Sequence, residues 1–348
     1  MKLTHLAMVS CVAVAGQGCA LFNSVRSGNP AAVAQAAARQ AEQTKEAVRR
    51  AEEKCAPVKE ALVSFEEERA IGGAIGVSLV SKNGTLLLEG MTEKDPEVLN
   101  KKLAAKEAVT LPDNAVNDMT AYVSIVGKNL ARYSARPDLP WTFAVIENEA
   151  VNAFSAPGGY VVLTTALMKK ISNEAQLAGV LGHEIGHVVH KHSLNKYKDA
   201  KHKQCIAANT AANMAEMGLP AGAGEAAAKF AKKFDGQMDL DASEGDFIMF
   251  IMNAVITILQ TGNDKDAEFE TDKTALELVA FAGYDPTEYE KFLVSLGSQG
   301  GGVLSSHPST DDRVARLKAL REGDLAPFAN GKAKPDTAKV LAPLAPKS

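Results

Sequence analysis

The chain is short of three things, and each shortage removes a class of function. Positive charge is not in surplus: 38 Lys and Arg stand against 42 Asp and Glu, for a net charge of −4, with both signs interspersed. No basic stripe of the kind that tracks a phosphate backbone results, so nucleic acid is not an expected partner. Long apolar runs are also missing. The stretch from Phe247 to Leu259 falls short of the roughly 20 apolar residues that a membrane span requires, and it reads as a buried helix. Cysteine is sparse, at four residues. Cys11 and Cys19 fall in the first twenty residues, which leaves Cys55 and Cys205 either to pair in an oxidising compartment or to be buried separately as thiols.

With 348 residues, 46% of them apolar, the chain can bury one substantial core with appendages. Residues 1–20 read as an export signal: Lys2, an apolar core from Leu6 to Ala15, then the small residues Gly16, Gly18 and Ala20. Cys19 follows Ala15-Gly16-Gln17-Gly18, a stretch similar to a bacterial lipoprotein box except for Gly16 where Leu is usual and the larger Gln17. Two outcomes stay open, lipidation of Cys19, which would hold the protein at a membrane surface, or ordinary cleavage after Ala20. Either places it in the bacterial periplasm or cell envelope.

Residues 21–70 form an Ala-rich helical spacer. Asn29-Pro30 supplies an N-cap and a first-turn proline, and the helix should run to about Lys54, with a weak seam through Ala51, Cys55, Val58, Leu62 and Phe65 that Pro57 interrupts or kinks. Residues 71–112 read as a hairpin and linker, with Val77–Val80 and Thr85–Glu89 as strands around Asn83-Gly84. Its Gly72-x-x-x-Gly76 is a weak helix-packing signal. Residues 113–325 are the main domain, α+β and mainly helical. They hold a helix over Asn117–Tyr133, a buried strand over Pro140–Ile146, and a second strand over Tyr160–Thr165 whose Pro-Gly-Gly entry suggests a sheet edge. Residues 326–348 are an Ala-, Lys- and Pro-rich disordered tail.

The chemistry is concentrated in Leu181-Gly-His-Glu-Ile-Gly-His187. On a helix a four-residue step turns about 400°, so His183 and His187 share one face roughly 6 Å apart and can share one metal ion. Glu184 is placed to touch a water in the metal's open position and is the candidate general base. Ser172 or Asn173 is the N-cap, and the apolar flanks mark a largely buried helix. Beyond it, His190 and His192 point in different directions on a helix and are not expected to hold a second metal.

A catalytic zinc takes a third protein ligand and leaves a position to water. The stretch from Asp266 to Phe281 begins acidic and continues as an amphipathic helix closed by Gly283. Its Glu268 and Asp272 lie one turn apart, so the first can bind metal while the second accepts the other N–H of a ligating His. Glu270 would point away by about 200°.

Taken in order, Asn152-Ala-Phe-x-x-Pro-Gly-Gly, Leu181-Gly-His-Glu-Ile-Gly-His, Glu268-Phe-Glu-Thr-Asp272, Ala282-Gly-Tyr-Asp-Pro286 and His307-Pro-x-x-x-x-Arg313 resemble the HtpX and CAAX-prenyl-protease-like zinc metalloendopeptidases, a gluzincin family. The likeness is closest to the exported, soluble BepA and LoiP type and spans roughly residues 113–320. It implies a zincin-like domain with one Zn2+ on His183, His187 and Glu268, and Thr271 stands where Ala is more usual. It further implies that His307 lies near the zinc, as oxyanion stabiliser or plug, with Arg313 as a buried tie. Asn152, Ala153 and Phe154 would then form an edge strand bordering the zinc cleft and holding an extended, unfolded polypeptide substrate through its backbone. The implied function is an envelope endopeptidase for unfolded or misassembled proteins. An envelope assembly factor or chaperone with a plugged or structural zinc is the alternative.

Overall fold

The computed structural model describes residues 28–83, 115–217, 264–297, 310–323 and 325–326. The expected export signal with Cys19, the second strand of the expected hairpin, the apolar run 247–259, His307 and the tail beyond 326 lie outside them. The chain divides into two compact units, residues 1–63 with 196–254, and residues 64–195 with 255–348. Among the described residues no helix is long and apolar enough to cross a membrane.

In the first unit, α1 runs Pro30–Glu60, with the Asn29 side chain accepting from the Ala31 and Ala32 amides. The helix passes through Pro57 and ends three residues later, where the Ala61 N–H donates to the Pro57 carbonyl at 2.9 Å. Proline removes one N–H from the ladder, and so near the end of a helix that loss is offset by tertiary packing. Ala47, Ala51, Cys55 and Val58 form its buried face. Leu62, expected on that seam, is 93% exposed because the helix has already ended. Cys55 is joined to Cys205 of the helix His192–Glu216 (α6 below) by a disulfide with the Cα atoms 5.9 Å apart. Two turns on, Asn213 Nδ2 donates to the Ala47 carbonyl at 2.9 Å. The linked residues are 150 apart, and closing so long a loop in the unfolded chain stabilises the fold by about 5 kcal/mol in the chain-entropy account.

The second unit begins with α2, Phe65–Asn83. Val77–Val80, expected as the first strand of a hairpin, is helical. A short apolar run does not by itself distinguish strand from helix, and here Ile71 and Ile75 bury one helical face. Glu66, Glu67 and Glu68 also suit the positive end of the helix dipole. Gly72 lets α2 seat on the sheet, since a Cβ there would fall 1.7 Å from the Pro157 carbonyl oxygen.

After α3 (Ala115–Ala131) come β1 (Thr142–Ile146), β2 (Ala153–Ala156) and β3 (Tyr160–Thr164), in the sheet order β1-β3-β2. β1 runs parallel to β3 with Phe143 opposite Val161, and β2 runs antiparallel to β3 with Phe154 opposite Val162. The strand with the Pro-Gly-Gly entry is therefore the central one. Four of its five residues are buried, which an outer strand would not need, and Ala153–Ala156 is the edge instead. A short helix α4, Thr165–Met168, leads to α5, Glu174–Val189. The chain continues as α6 (His192–Glu216), α7 (Lys265–Phe281), α8 (Thr287–Gly297) and α9 (Thr310–Glu322). The core joins Met119, Val123, Val126 and Leu130 of α3 to Val161 and Leu163 of β3 and to Leu177, Leu181 and Ile185 of α5.

Candidate metal centre

α5 is capped by Asn173, whose side chain accepts from the Gln176 N–H at 2.9 Å. Its first-turn Glu174 accepts from the hydroxyls of Tyr122 and, at 2.7 Å, of Tyr284. Fourteen of its sixteen residues are buried, and Glu184 itself is only 4% exposed. α7, capped by Asp264, crosses close behind. Each motif histidine is preceded by a glycine, and these glycines face α7. A Cβ at Gly186 would lie 2.9 Å from Thr271 Cγ2 and 3.3 Å from its Cα, and one at Gly182 would lie 3.1 Å from Ala275 Cα. This close approach carries the Glu268 carboxylate to the two imidazoles, one residue further round the α5 surface.

His183 Nε2 and His187 Nε2 are 3.1 Å apart. Glu268, fully buried, straddles them, with Oε2 3.4 Å from His183 Nε2 and Oε1 3.4 Å from His187 Nε2. One ligand atom from each of the three lies within 4.8 Å of the others. A tetrahedral ion with bonds of about 2.0–2.1 Å separates its ligand atoms by about 3.3–3.4 Å, close to these distances. The outer nitrogens support the same assignment. His183 Nδ1 is 3.0 Å from Asp272 Oδ1, so its ring proton is directed to that carboxylate and Nε2 offers a lone pair. His187 Nδ1 is 2.9 Å from His192 Nδ1. Two imidazole lone pairs and a carboxylate converging in a buried site are the donor set of a divalent cation, and the residues fit one.

Around the triad the charges are tied. Arg313, 2% exposed, donates from Nε to Asp272 Oδ2 at 2.8 Å and from Nη2 to Oδ1 at 2.7 Å, and the Tyr289 hydroxyl donates to the same Oδ1 at 3.0 Å. Burial pushes Asp272 up, but the hydrogen bonds from Arg313 and His183 outweigh it and hold the carboxyl at about 2. Burial pushes His183 down, and its bonds to Asp272 and Glu268 outweigh that, so the imidazole is pushed up to about 9. A metal bound there would take the place of that proton.

The space beside the triad is a small open cleft, lined by Glu184 and His183 with Ala153 of β2, Val180, Phe292 and Leu296 among others. Of the expected strand residues, Ala153 reaches this cleft. Phe154 sits on the same strand, half buried, and Asn152 pairs its backbone N–H with Thr164 Oγ1. Four participants were not anticipated from sequence. Tyr289 buries its ring against the site and therefore needs a hydroxyl partner. His190 and His192 do converge after all, 3.3 Å from opposite oxygens of Glu270. The helical projection does not apply to them, because α5 ends at His190 and Lys191 turns the chain with φ 59°. Glu68 of α2, 4% exposed, is gripped by Arg136 through two bonds of 2.7 and 2.8 Å and by the Gly158 N–H. It lines a second hollow with His187, Ser155 and Lys191.

A carboxylate and two imidazoles around one ion position, opening on a cleft that a second carboxylate and an outer strand share, is the architecture of metal-dependent peptidases. Comparison with known proteins leads to the same class: residues 117–321, more than half of the chain, match Peptidase family M48, and the chain belongs to that family. Among its relatives are the β-barrel assembly-enhancing protease of Escherichia coli, 26% identical over 208 residues that cover 58% of this chain and 39% of the relative. The mitochondrial metalloendopeptidase OMA1 of Schizosaccharomyces pombe is 28% identical over 57% of this chain and 52% of its own. A protease HtpX homologue of Methylibium petroleiphilum is 25% identical over 54% of this chain and 71% of its own. The chain thus spans about two fifths of the β-barrel assembly-enhancing proteases that it matches.

Proposed function

We propose that the chain is a zinc-dependent endopeptidase of the bacterial cell envelope that cleaves unfolded or misassembled polypeptides. The observation that carries this reading is that Glu184 lines one cleft together with His183 and with Ala153 of β2. His183, His187 and Glu268 are the proposed ligands. Zinc held there would supply Lewis acidity, lowering the pKa of water to about 7 and polarising the scissile carbonyl. Among the described residues β2 has β3 on one side only; Asn152 is bonded to Thr164 on that side, so of residues 152–154 it is Ala153 whose outward backbone groups can pair with an extended substrate chain. That preference for extended backbone is what points to unfolded clients. Glu184 takes a proton from the attacking water as oxygen bonds to the carbonyl carbon, then passes it to the amine as the C–N bond breaks. Asp272 and Arg313 hold His183 in orientation. His307 is proposed to stabilise the oxyanion or to cover the metal.

The cell-envelope setting rests on the export-like residues 1–20, with Cys19 as the proposed lipid attachment point, and on the bacterial relatives named for β-barrel assembly. The test is cleavage of a reduced, unfolded protein by the zinc-loaded chain and by Glu184→Gln. The variant should keep its zinc and lose about 10²–10⁴-fold in rate, the usual weight of a general base. Undiminished turnover refutes the role of Glu184, and a zinc-loaded wild type that never cleaves, even with His307 replaced, leaves an assembly or chaperone role.

A further inference from the structure

The second motif histidine has an arrangement behind it that the proposed reaction has not used. His187 Nδ1 lies 2.9 Å from His192 Nδ1, with the ring centroids 5.1 Å apart. A second acceptor, Thr271 Oγ1, is further off at 3.4 Å, and its own proton goes to the Ala267 carbonyl at 2.6 Å. On its far side His192 Nε2 is 3.3 Å from Glu270 Oε2. The other oxygen of Glu270 is 3.3 Å from His190 Nδ1, and His190 Nε2 is 2.7 Å from Thr274 Oγ1.

We propose that His192 is a positioning residue for the metal, accepting the Nδ1–H of His187 and thereby fixing the tautomer and ring plane of that ligand, with Glu270 as its own anchor. The inference rests on the reading of His187 as a ligand. If His187 Nε2 gives its lone pair to an ion, the ring's proton sits on Nδ1. The 2.9 Å contact then has one direction, His187 donating and His192 accepting. His192 in turn carries its proton on Nε2, aimed at Glu270. The opposite assignment, with His192 donating, would leave a proton on His187 Nε2 facing His183 and Glu268, where it excludes a cation. Each ligating imidazole therefore has its own acceptor: the Asp272 carboxylate for His183 and the His192 imidazole for His187. The reversal at Lys191, φ 59°, is what turns His192 back onto the helix it has just left.

The test measures the Zn2+ dissociation constant by competition with a chromogenic chelator at one neutral pH, in a Glu184→Gln background so that no cleavage intervenes. Removing an outer partner of a metal ligand typically costs about 10–100-fold in affinity, and His192→Leu is expected to lose that much. His192→Asn, whose amide oxygen can occupy the position of Nδ1, should recover most of it. Thr271→Ala, which takes from His187 only the longer of its two Nδ1 contacts, should change affinity by less than about threefold. Glu270→Ala, at a position 55% exposed and safe for folding, should weaken binding in the same direction by less than His192→Leu. Unchanged affinity in His192→Leu overturns the inference, as does equal loss in His192→Asn, which would mean that the residue only fills space. A parent that binds no zinc sinks the metal reading itself and this inference with it, whereas a parent that binds zinc as tightly as its His192→Leu derivative sinks this inference alone.

Discussion

Replacing Asp272 with Asn changes one oxygen to an NH2 group and removes one charge in a place where both matter. The carboxylate accepts four bonds, from His183 Nδ1, from Arg313 Nε and Nη2, and from Tyr289, all between 2.7 and 3.0 Å. An amide can keep the three that fall on Oδ1. Its NH2 would then face Arg313 Nε, a donor set against a donor at 2.8 Å. The drop of the Asp272 carboxyl from 3.8 to about 2 corresponds to about 2 kcal/mol in favour of the anion. Loss of one partner from a buried ion pair costs more, about 3–5 kcal/mol, because the Arg313 guanidinium stays buried with only the more distant Glu268 carboxylate, 3.9 Å away, to face it. The effect also reaches the metal. A neutral acceptor leaves His183 a poorer donor, and about 10–100-fold in zinc affinity should be lost. Chemical denaturation of the apoprotein reads the first quantity and chelator competition the second. An Asn variant with the stability of the wild type, and zinc affinity within about twofold, would refute the view that this carboxylate orients and charges the site.

Two further outcomes are expected. Glu68, held below the ordinary carboxylate range because its bonds from Arg136 and the Gly158 N–H outweigh the upward push of burial, contributes stability that is complete above its ordinary value of about 4.5 and lost as pH falls below it. Glu68→Gln should therefore lower stability at neutral pH and flatten the acid limb of a stability–pH curve, and an unchanged acid limb would count against that coupling. Gly186→Ala places a methyl 2.9 Å from Thr271 Cγ2 and should cost about 1–3 kcal/mol by overpacking, against a gain of roughly 1 kcal/mol in helix propensity. Added to Thr271→Ala, the same substitution should cost measurably less, as seen in the midpoint of urea denaturation, and equal costs would mean that the two helices are not in tight contact there.

How far the sequence could be read depended on whether a feature is local. The N-cap at Asn173, the buried run of α5, and the close of α7 at Gly283 all follow from residues within a turn or two of each other. The four-residue spacings brought His183 with His187, and Glu268 with Asp272, to single faces. That these two faces meet depends on Gly182 and Gly186, whose importance shows only when Thr271 and Ala275 are placed against them. The expected strand at Val77–Val80 is helical in a segment whose Ile71 and Ile75 bury one helical face, and an apolar run of four residues carries no period strong enough to say so. Which strand forms the edge turned on β1 pairing in parallel with β3 across the sequence, a non-local choice that the Pro-Gly-Gly turn does not encode. His192, Glu270 and the Glu68–Arg136 pair were hidden for the same reason. Each is an ordinary polar residue until the fold supplies its partner.

The central claim is that three side chains from α5 and α7 hold one ion. Metal content per chain, measured by elemental analysis on the purified wild type and on Glu268→Ala after equal exposure to zinc and removal of excess, tests it most directly. One zinc per wild-type chain and close to none in the variant is the expected result. A variant that retains a full equivalent would contradict it.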